Sequence, residues 1–576
     1  MLLIALNTVL LLHSLAGLPD STAILAAARA AQAAFERLRL DYLPRSAGGS
    51  GGRCDEVVGR FCYWHDDDDD WVPPPEHPRI RQARERLLDQ LDSLARMAPS
   101  DDWIAGQRVR YLVEADRGAE ALNAALQCRG TLWWCYSLRA FAQHAARQFA
   151  AADSSYTEAL LSMPTHERCR WTDLSEVLAQ RPRDYGRASC EQRERLNTTI
   201  WWLADPLYLT PGNERRTEHY SRRVLNALQP DSRSPYAMTW GNDLERLLLR
   251  YGWPVGWERD DPWRTADRAT VHVIARHAPR AREFLPPRRF VEDPATLQPG
   301  AWNIDPDRPR SGYAAPYARD FVALDPQVTV FWRGDSAIVM AAFERPILAR
   351  GEGGRGATKR GQERGVAEQP IGAALVITAG PDATPVMARD SAQGPYRLAA
   401  TVPARGALVS VEALPHGDSG VAGRERFWLS LRRPDGVAMS QPLLFAAHDP
   451  DSVPAVLELL FDSMLTHAAV APGTPVGLYW ETYLGDTSPG TARVTLTATR
   501  AGASWLRRAA ERLSPTGRRQ PVVRLSWSVA VPGVGIYPQS VAVTLPQGAR
   551  GRFALEITMD IAGRTLRSER VVEVRQ

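Results

Sequence analysis

Apolar positions recur at three- and four-residue intervals through the first 260 or so residues, and alternate with polar ones after about residue 325. The first spacing is that of helices with one buried face. The second is that of strands packed on one side. Residues 21–40 are Ala- and Leu-rich at helical spacing, with Ser21 placed to cap the segment. A Gly/Ser loop follows at 46–52, and Pro73-Pro74-Pro75 closes the next segment. Helical spacing returns over 79–97, with Leu87, Leu88, Leu91 and Leu94 on one face. Two helix pairs are predicted at 103–126 and 133–163.

Strand-like runs then appear at 328–332, 337–343, 373–378, 397–402, 407–413 and 427–431. A second series covers 476–484, 493–497, 522–529, 541–545, 553–559 and 570–574. Val523, Leu525, Trp527 and Val529 would share one face, with Arg524, Ser526 and Ser528 on the other. Such alternation predicts antiparallel sheets with one packed side. The predicted fold class is multidomain α + β, an N-terminal α-helical array followed by antiparallel β-sandwich-like domains at 326–449 and 450–576. The Pro- and Arg-rich stretch 262–325 reads as an irregular connection, the Gly-rich stretch 351–365 as a disordered loop, and 503–513 as a short helix.

Length and charge narrow the function classes. A chain of 576 residues suggests several domains, at roughly 100–200 residues each. A net charge of +4 over that length leaves no broad electrostatic footprint for nucleic acid. Lys359 is the only lysine, so lysine-centred chemistry has no place outside one Gly-rich loop.

Residues 2–12 form an apolar run broken only by Asn7 and Thr8, and Ser14-Leu15-Ala16 resembles a small-residue cleavage site. Residues 1–16 therefore read as a signal peptide, although no Lys or Arg precedes the run. Export, to the periplasm or the extracellular space, is the expected localisation, with no membrane span after signal cleavage. Cysteine placement supports it. Cys54, Cys62, Cys128, Cys135, Cys169 and Cys190 all lie in the first third of the chain. An even set in an exported chain suggests disulfides. Loop closure favours neighbours, which predicts Cys54–Cys62, Cys128–Cys135 and Cys169–Cys190. Metal binding by these cysteines is the weaker reading, because no pair has zinc-knuckle spacing.

Phe149, Ala152, Tyr156, Ala159, Leu160 and Pro164 have the spacing of the second helix of a tetratricopeptide repeat, and Tyr136 and Ala140 sit where its first helix carries an aromatic and a small residue. Arg147 stands where that repeat has a glycine. The segment 17–195 thus resembles a tetratricopeptide-like array, an architecture that presents concave surfaces to proteins or peptides.

The segment 196–261 carries Trp201-Trp202-Leu203-Ala204-Asp205-Pro206, then Asn213-Glu214 opening a helix, then Thr239-Trp240-Gly241-Asn242-Asp243, and finally Arg250-Tyr251-Gly252 with Pro254. This order resembles the GWxTD domain of exported bacterial proteins. Thr239 replaces the glycine of the name motif and Asn242 its threonine, while Trp240 and Asp243 match. The family has no established activity, so the resemblance implies architecture and export rather than chemistry. Asp205, Asn213, Glu214, Trp240, Asp243, Arg250 and Tyr251 are the candidate binding residues it points to. The competing reading makes them caps, turns and ion pairs.

Neither a His-Glu-x-x-His pattern nor a P-loop is present in the sequence. No cofactor is called for. The run Asp66 to Asp70 makes Asp66, Asp68 and Asp70 weak metal candidates, because it lacks the spacing and glycine of a calcium loop. The sequence thus favours a non-catalytic exported protein with a binding or assembly role in the cell envelope and a protein or peptide partner. The alternative is an envelope hydrolase with carboxylates near 240–261, including Glu258, Asp260 and Asp261, and tryptophans that stack on substrate.

Overall fold

The computed structural model describes residues 21–46, 54–63, 65, 71–259, 273–346, 371–391, 394–415, 420–449, 451–485, 490–501, 522–561 and 563–575. The proposed signal peptide, the Asp66 to Asp70 run, the 351–365 loop, the 503–513 helix, Asp260 and Asp261 lie outside the described residues. The chain forms two compact units, Met1–Val177 with Glu214–Pro279, and Leu178–Asn213 with Arg280–Gln576.

The first unit is helical. It contains α1 (Ser21–Tyr42), a hairpin of β1 (Glu56–Val58) and β2 (Phe61–Tyr63), α2 (Pro78–Met97), α3 (Asp102–Glu114), α4 (Gly118–Leu126), α5 (Leu132–Ala145), α6 (Phe149–Ser162) and α7 (Thr165–Trp171). After α8 (Cys190–Ala204), which belongs to the second unit, come α9 (Glu214–Ala227), α10 (Asn242–Tyr251), β3 (Gly256–Arg259) and β4 (Val273–Arg276). Local chemistry sets the helix starts. Proline begins α2, and the Asp101 carboxylate accepts from Ile104 N at 2.9 Å to cap α3. The turns α3–α4 and α5–α6 each hold a non-glycine residue in the left-handed region, Asp116 at φ 57° and Arg147 at φ 59°. Arg147 thus adopts the conformation that a glycine at this position favours. One apolar core runs through Leu87, Leu91, Tyr111, Leu138, Tyr156 and Val224. Leu87, Leu88 and Leu91 are buried as the spacing predicts, with Leu94 partly buried beside them.

In the second unit, residues 280–325 carry β5 (Arg282–Glu283), α11 (Arg288–Glu292), β6 (Gly312–Tyr313) and β7 (Asp320–Ala323). These elements are too short to leave a periodic signal. The strands that follow are β8 (Gln327–Arg333), β9 (Ser336–Phe343), β10 (Ile371–Thr378), β11 (Val386–Asp390), β12 (Tyr396–Pro403), β13 (Gly406–Pro415), β14 (Val421–Ser430), β15 (Val437–Met439) and β16 (Leu443–Ala446). After α12 (Leu457–Leu460) come β17 (Ala469–Val470), β18 (Pro475–Leu484), β19 (Gly490–Arg500), β20 (Val523–Val531), β21 (Gly535–Thr544), β22 (Gly551–Ile561) and β23 (Arg564–Val574).

Sheets β11-β10-β13-β14-β7 and β12-β9-β8 enclose a core with Val339, Leu375, Val409 and Phe427. Strand β18 with β15, β16 and β21, and the sheet β17-β23-β22-β19-β20, enclose another with Trp480, Leu496, Leu555 and Ile557. Among the described strands of this unit, pairing is antiparallel except for β14–β7 and β17–β23. The protein is therefore a multidomain α + β chain, helical first and sandwich-like after. Gln327 ties the two sandwiches, giving Nε2–H to the Leu444 carbonyl at 3.0 Å and accepting from Leu444 N at 2.7 Å. Among the described residues no helix is long and apolar enough to cross a membrane.

Candidate functional site

Disulfides Cys54–Cys62 and Cys128–Cys135 are formed, and Cys169 and Cys190 are disulfide-bonded as well. The first closes the β1–β2 hairpin, whose strands have only three residues each. A ribbon that short is not stable alone. Its further anchors come from the segment that resembles the GWxTD domain.

Asp243, in the first turn of α10, receives Arg60 Nε at 2.5 Å on one oxygen and Arg60 Nη2 at 2.9 Å on the other. The Arg60 hydrogen bond is the main cause that draws the Asp243 carboxyl down to about 2. Gly59, at φ 58°, makes the approach possible, since a Cβ there would stand 2.4 Å from the Asp243 Cβ. At the other end of α10, Arg250 reaches Glu56 Oε1 at 2.5 Å, the Glu176 carbonyl at 2.9 Å and Glu176 Oε2 at 3.2 Å. Tyr251 donates its hydroxyl to Glu56 Oε2 at 2.6 Å and stacks on Tyr63 with ring centroids 3.7 Å apart. Burial pushes the nearby His277 imidazole down to about 4. Trp240 donates Nε1–H to Asn226 Oδ1 at 2.8 Å and packs with Val58, Phe61 and Tyr236 in one small core. Four of the seven candidate residues, Trp240, Asp243, Arg250 and Tyr251, therefore surround the disulfide-closed hairpin.

The other three lie elsewhere. Glu214 is fully buried at the start of α9. Asp205 and Asn213 belong to the second unit. Asn213 Nδ2 donates to the Trp201 carbonyl at 2.6 Å. The Asp205 carbonyl, at the end of α8, accepts from Arg424 Nη1 at 2.8 Å and from Arg426 Nη1 at 2.9 Å. Arg426 also pairs with Glu412 at 3.1 Å and lies over the Tyr208 ring. These two arginines project from β14 and fasten α8 to the sheet. Burial draws Arg424 down to about 9. Glu258, from the acidic cluster, is buried and pairs with Arg276 at 3.4 Å.

Just beyond Tyr251 the first unit opens into a cleft of about 290 Å³. Trp253, Pro254 and Trp257 line it together with the Pro73-Pro74-Pro75 run, and Arg39, Arg84 and Glu114 also face it. The rings of Trp253 and Trp257 stand 5.8 Å apart at 67°. The proline run leads away from the hairpin and is fixed on both sides. Trp71 lies so close to Gly256 that a Cβ there would meet its ring at 2.4 Å, and His77 stacks on Tyr42 at 4.9 Å.

Beneath the cleft is a buried ionic network that sequence reasoning missed. Arg39 pairs with Glu114 and stands 3.5 Å from Glu36. Arg110 Nε reaches Glu114 at 3.0 Å. Tyr111 donates to Glu36 at 2.6 Å, and Arg110 lies over the Trp253 ring at 5.0 Å. Burial raises the Glu36 carboxyl. It would raise Glu114 too, but Arg39 and Arg110 outweigh it there and hold that carboxyl at about 2. A split pair of carboxyls is a feature of acid/base sites. Here the Glu36 side chain is 0% exposed and does not line the cleft, so it cannot touch a molecule held there. Among the described residues no group of three or more His, Cys, Asp or Glu side chains is placed to hold a metal ion.

No protein-family model matches the chain, and no curated protein matches it in sequence. Among solved structures it is similar to the sporulation control protein Spo0M of Bacillus subtilis, at 10% identity and a TM-score of 0.16 over 25% of this chain and 51% of that one. It is similar to red sea bream transglutaminase at 10% identity and a TM-score of 0.14, over 44% and 31%. A DUF3823 family protein of Parabacteroides merdae matches at 13% identity and a TM-score of 0.14, over 37% and 90%. The chain thus spans about half of the first protein and about a third of the second. At these scores no activity is transferred from any of them.

Proposed function

We propose that this chain is an exported bacterial envelope protein of the GWxTD-like kind, with a binding or assembly role rather than a catalytic one. Its recognition site is the cleft walled by Trp253, Trp257 and the proline run, and its partner is a protein or peptide of the envelope. The observation that carries this reading is the use made of the motif side chains. Asp243 and Arg250 are engaged in holding the hairpin, so they are not free to converge on a reacting group, whereas the tryptophans after them face an open cleft. Disulfide-bonded cysteines support export, since such bonds persist in oxidising compartments. The helix pairs α3/α4 and α5/α6 support a tetratricopeptide-like array, with Arg147 at φ 59° in the place of the repeat's glycine.

The test is to express the chain with its leader in a bacterium, fractionate the cells, and capture partners from the envelope fraction. A mature N-terminus at Gly17 is expected. So is a captured polypeptide whose yield falls at least tenfold for Trp253→Ala/Trp257→Ala. A chain that stays in the cytosol with its leader attached overturns export. Hydrolysis of an envelope glycan or peptide that is abolished by substituting a carboxylate of the 240–261 segment, such as Glu258→Gln, in a variant that keeps its fold would replace binding with the hydrolase reading.

A further inference from the structure

Among the described residues, one long strand of the second sandwich has a neighbour on one side alone. In the sheet β17-β23-β22-β19-β20, strand β20 is last in order and, among the described residues, pairs only with β19. The difference between these neighbours is large. On β19, Val494, Leu496 and Ala498 are fully buried. On β20 the residues facing the same side are partly open, with Leu525 at 39% exposure and Trp527 half-buried. Val534 and Ile536, which follow on the way into β21, are exposed at 68% and 40%.

Proteins protect long edges with proline, bulges or inward charges, because unpaired backbone groups recruit other strands. The edge strand β21 of the facing sheet carries Pro538 in its middle. Strand β20, nine residues long, has no proline, and Arg524 is its single charged residue. Its sequence Val-Arg-Leu-Ser-Trp-Ser-Val-Ala-Val is close to a palindrome about Trp527.

We propose that β20 is a docking edge, and that its occupant is β20 of a second copy of this chain, paired antiparallel about a two-fold axis at Trp527. In that register Val523 faces Val531, Leu525 faces Val529, and Trp527 faces itself. On the other side Ser526 faces Ser528 and Arg524 faces Ala530. Apolar residues meet apolar ones, and no like charges are opposed. The two sheets become one continuous sheet across the axis, and an isologous contact of this kind closes at two copies. An unrelated extended peptide could use the same backbone groups, but the palindrome favours self-pairing.

The test uses the full chain and sedimentation equilibrium. A species of about twice the 63.8 kDa chain mass is expected at micromolar concentration. Ser526→Lys/Ser528→Lys changes two exposed side chains and sets lysines opposite lysines. It should weaken the dimer by about tenfold or more while leaving the far-ultraviolet circular dichroism of the folded chain unchanged. Trp527→Cys should give a covalent dimer on a non-reducing gel, and Arg524→Cys, opposite Ala530, should not. A monomer at every concentration overturns the proposal. So does a dimer that ignores the lysine pair, which would place the contact elsewhere. A cross-link from Arg524→Cys alone would overturn the register.

Discussion

Asp243 and Arg60 form a two-point ion pair although 183 residues separate them in the chain. The pair anchors a hairpin and is partly exposed on the arginine side. Asp243→Asn is therefore expected to lower stability by about 1 kcal/mol or less at neutral pH, as exposed pairs do. Because the folded-state carboxyl is depressed, the contribution is present above its ordinary value of 3.8 and is lost as pH falls towards about 2. Urea unfolding of wild type and variant at several pH values should show the gap closing on the acid side. A gap that widens there would assign the role to another group.

Arg250 is a stricter case. Its side chain is 6% exposed and binds Glu56 and Glu176 together. Arg250→Met leaves both carboxylates without their common partner, a loss expected to be about 1–2 kcal/mol because Glu56 and Glu176 are 28% and 32% exposed. Proteolysis of the 54–63 hairpin should quicken in the same variant. Equal loss in Arg250→Met and Arg246→Met would contradict the assignment, because the Arg246 side chain is half exposed.

The carboxyls beneath the cleft should respond to substitution in opposite senses. Glu114 is held low, so it stabilises the fold at neutral pH and loses that effect as pH falls towards about 2. Glu36 is raised, so its contribution is complete at acid pH and is lost as pH climbs through its folded value. Glu114→Gln should therefore destabilise at pH 7. Glu36→Gln should instead gain on the wild type as pH rises above the ordinary carboxyl value. Guanidinium titrations from acid to alkaline pH measure both.

The Cys54–Cys62 bond closes a loop of sequence separation 8. For a loop of that size the chain-entropy estimate is about 2–3 kcal/mol. Cys54→Ala/Cys62→Ala should lower the melting temperature accordingly and increase amide exchange in Glu56–Tyr63 first. Retained protection in the hairpin would mean that Asp243, Arg250 and Tyr251 hold it unaided.

Much of the architecture is readable from residue order, because burial leaves a period. Phe553, Leu555, Ile557 and Met559 alternate in sequence and are all buried on one face of β22. The Cys54–Cys62 and Cys128–Cys135 pairings were legible for a related reason, since short loops close most readily. Partnerships across long separations were not. Nothing local to Asp243 indicates Arg60, and strands of three residues have no period to detect. The network of Glu36, Arg39, Arg110 and Glu114 hides differently. Glu and Arg on a helix look like a solvated face, yet the structure buries Glu36, Arg39 and Arg110 and leaves Glu114 12% exposed at the cleft. Their spacing was the available signal, Glu36 with Arg39 at three residues and Arg110 with Glu114 at four. Trp253 and Trp257 were legible as tryptophans but not as a cleft wall, because the opposite wall is supplied by prolines far away in sequence.

The hairpin also imposes an order of events on the growing chain. In an exported chain its cysteines reach the oxidising compartment first and can close there, whereas α10, which receives Arg60, Glu56 and Tyr63, follows almost two hundred residues later. Until then the covalent bond is what keeps those three side chains in register. A chain held under reducing conditions would form α10 with the hairpin open, and Asp243 and Arg250 would have to gather a loose loop rather than receive a finished one.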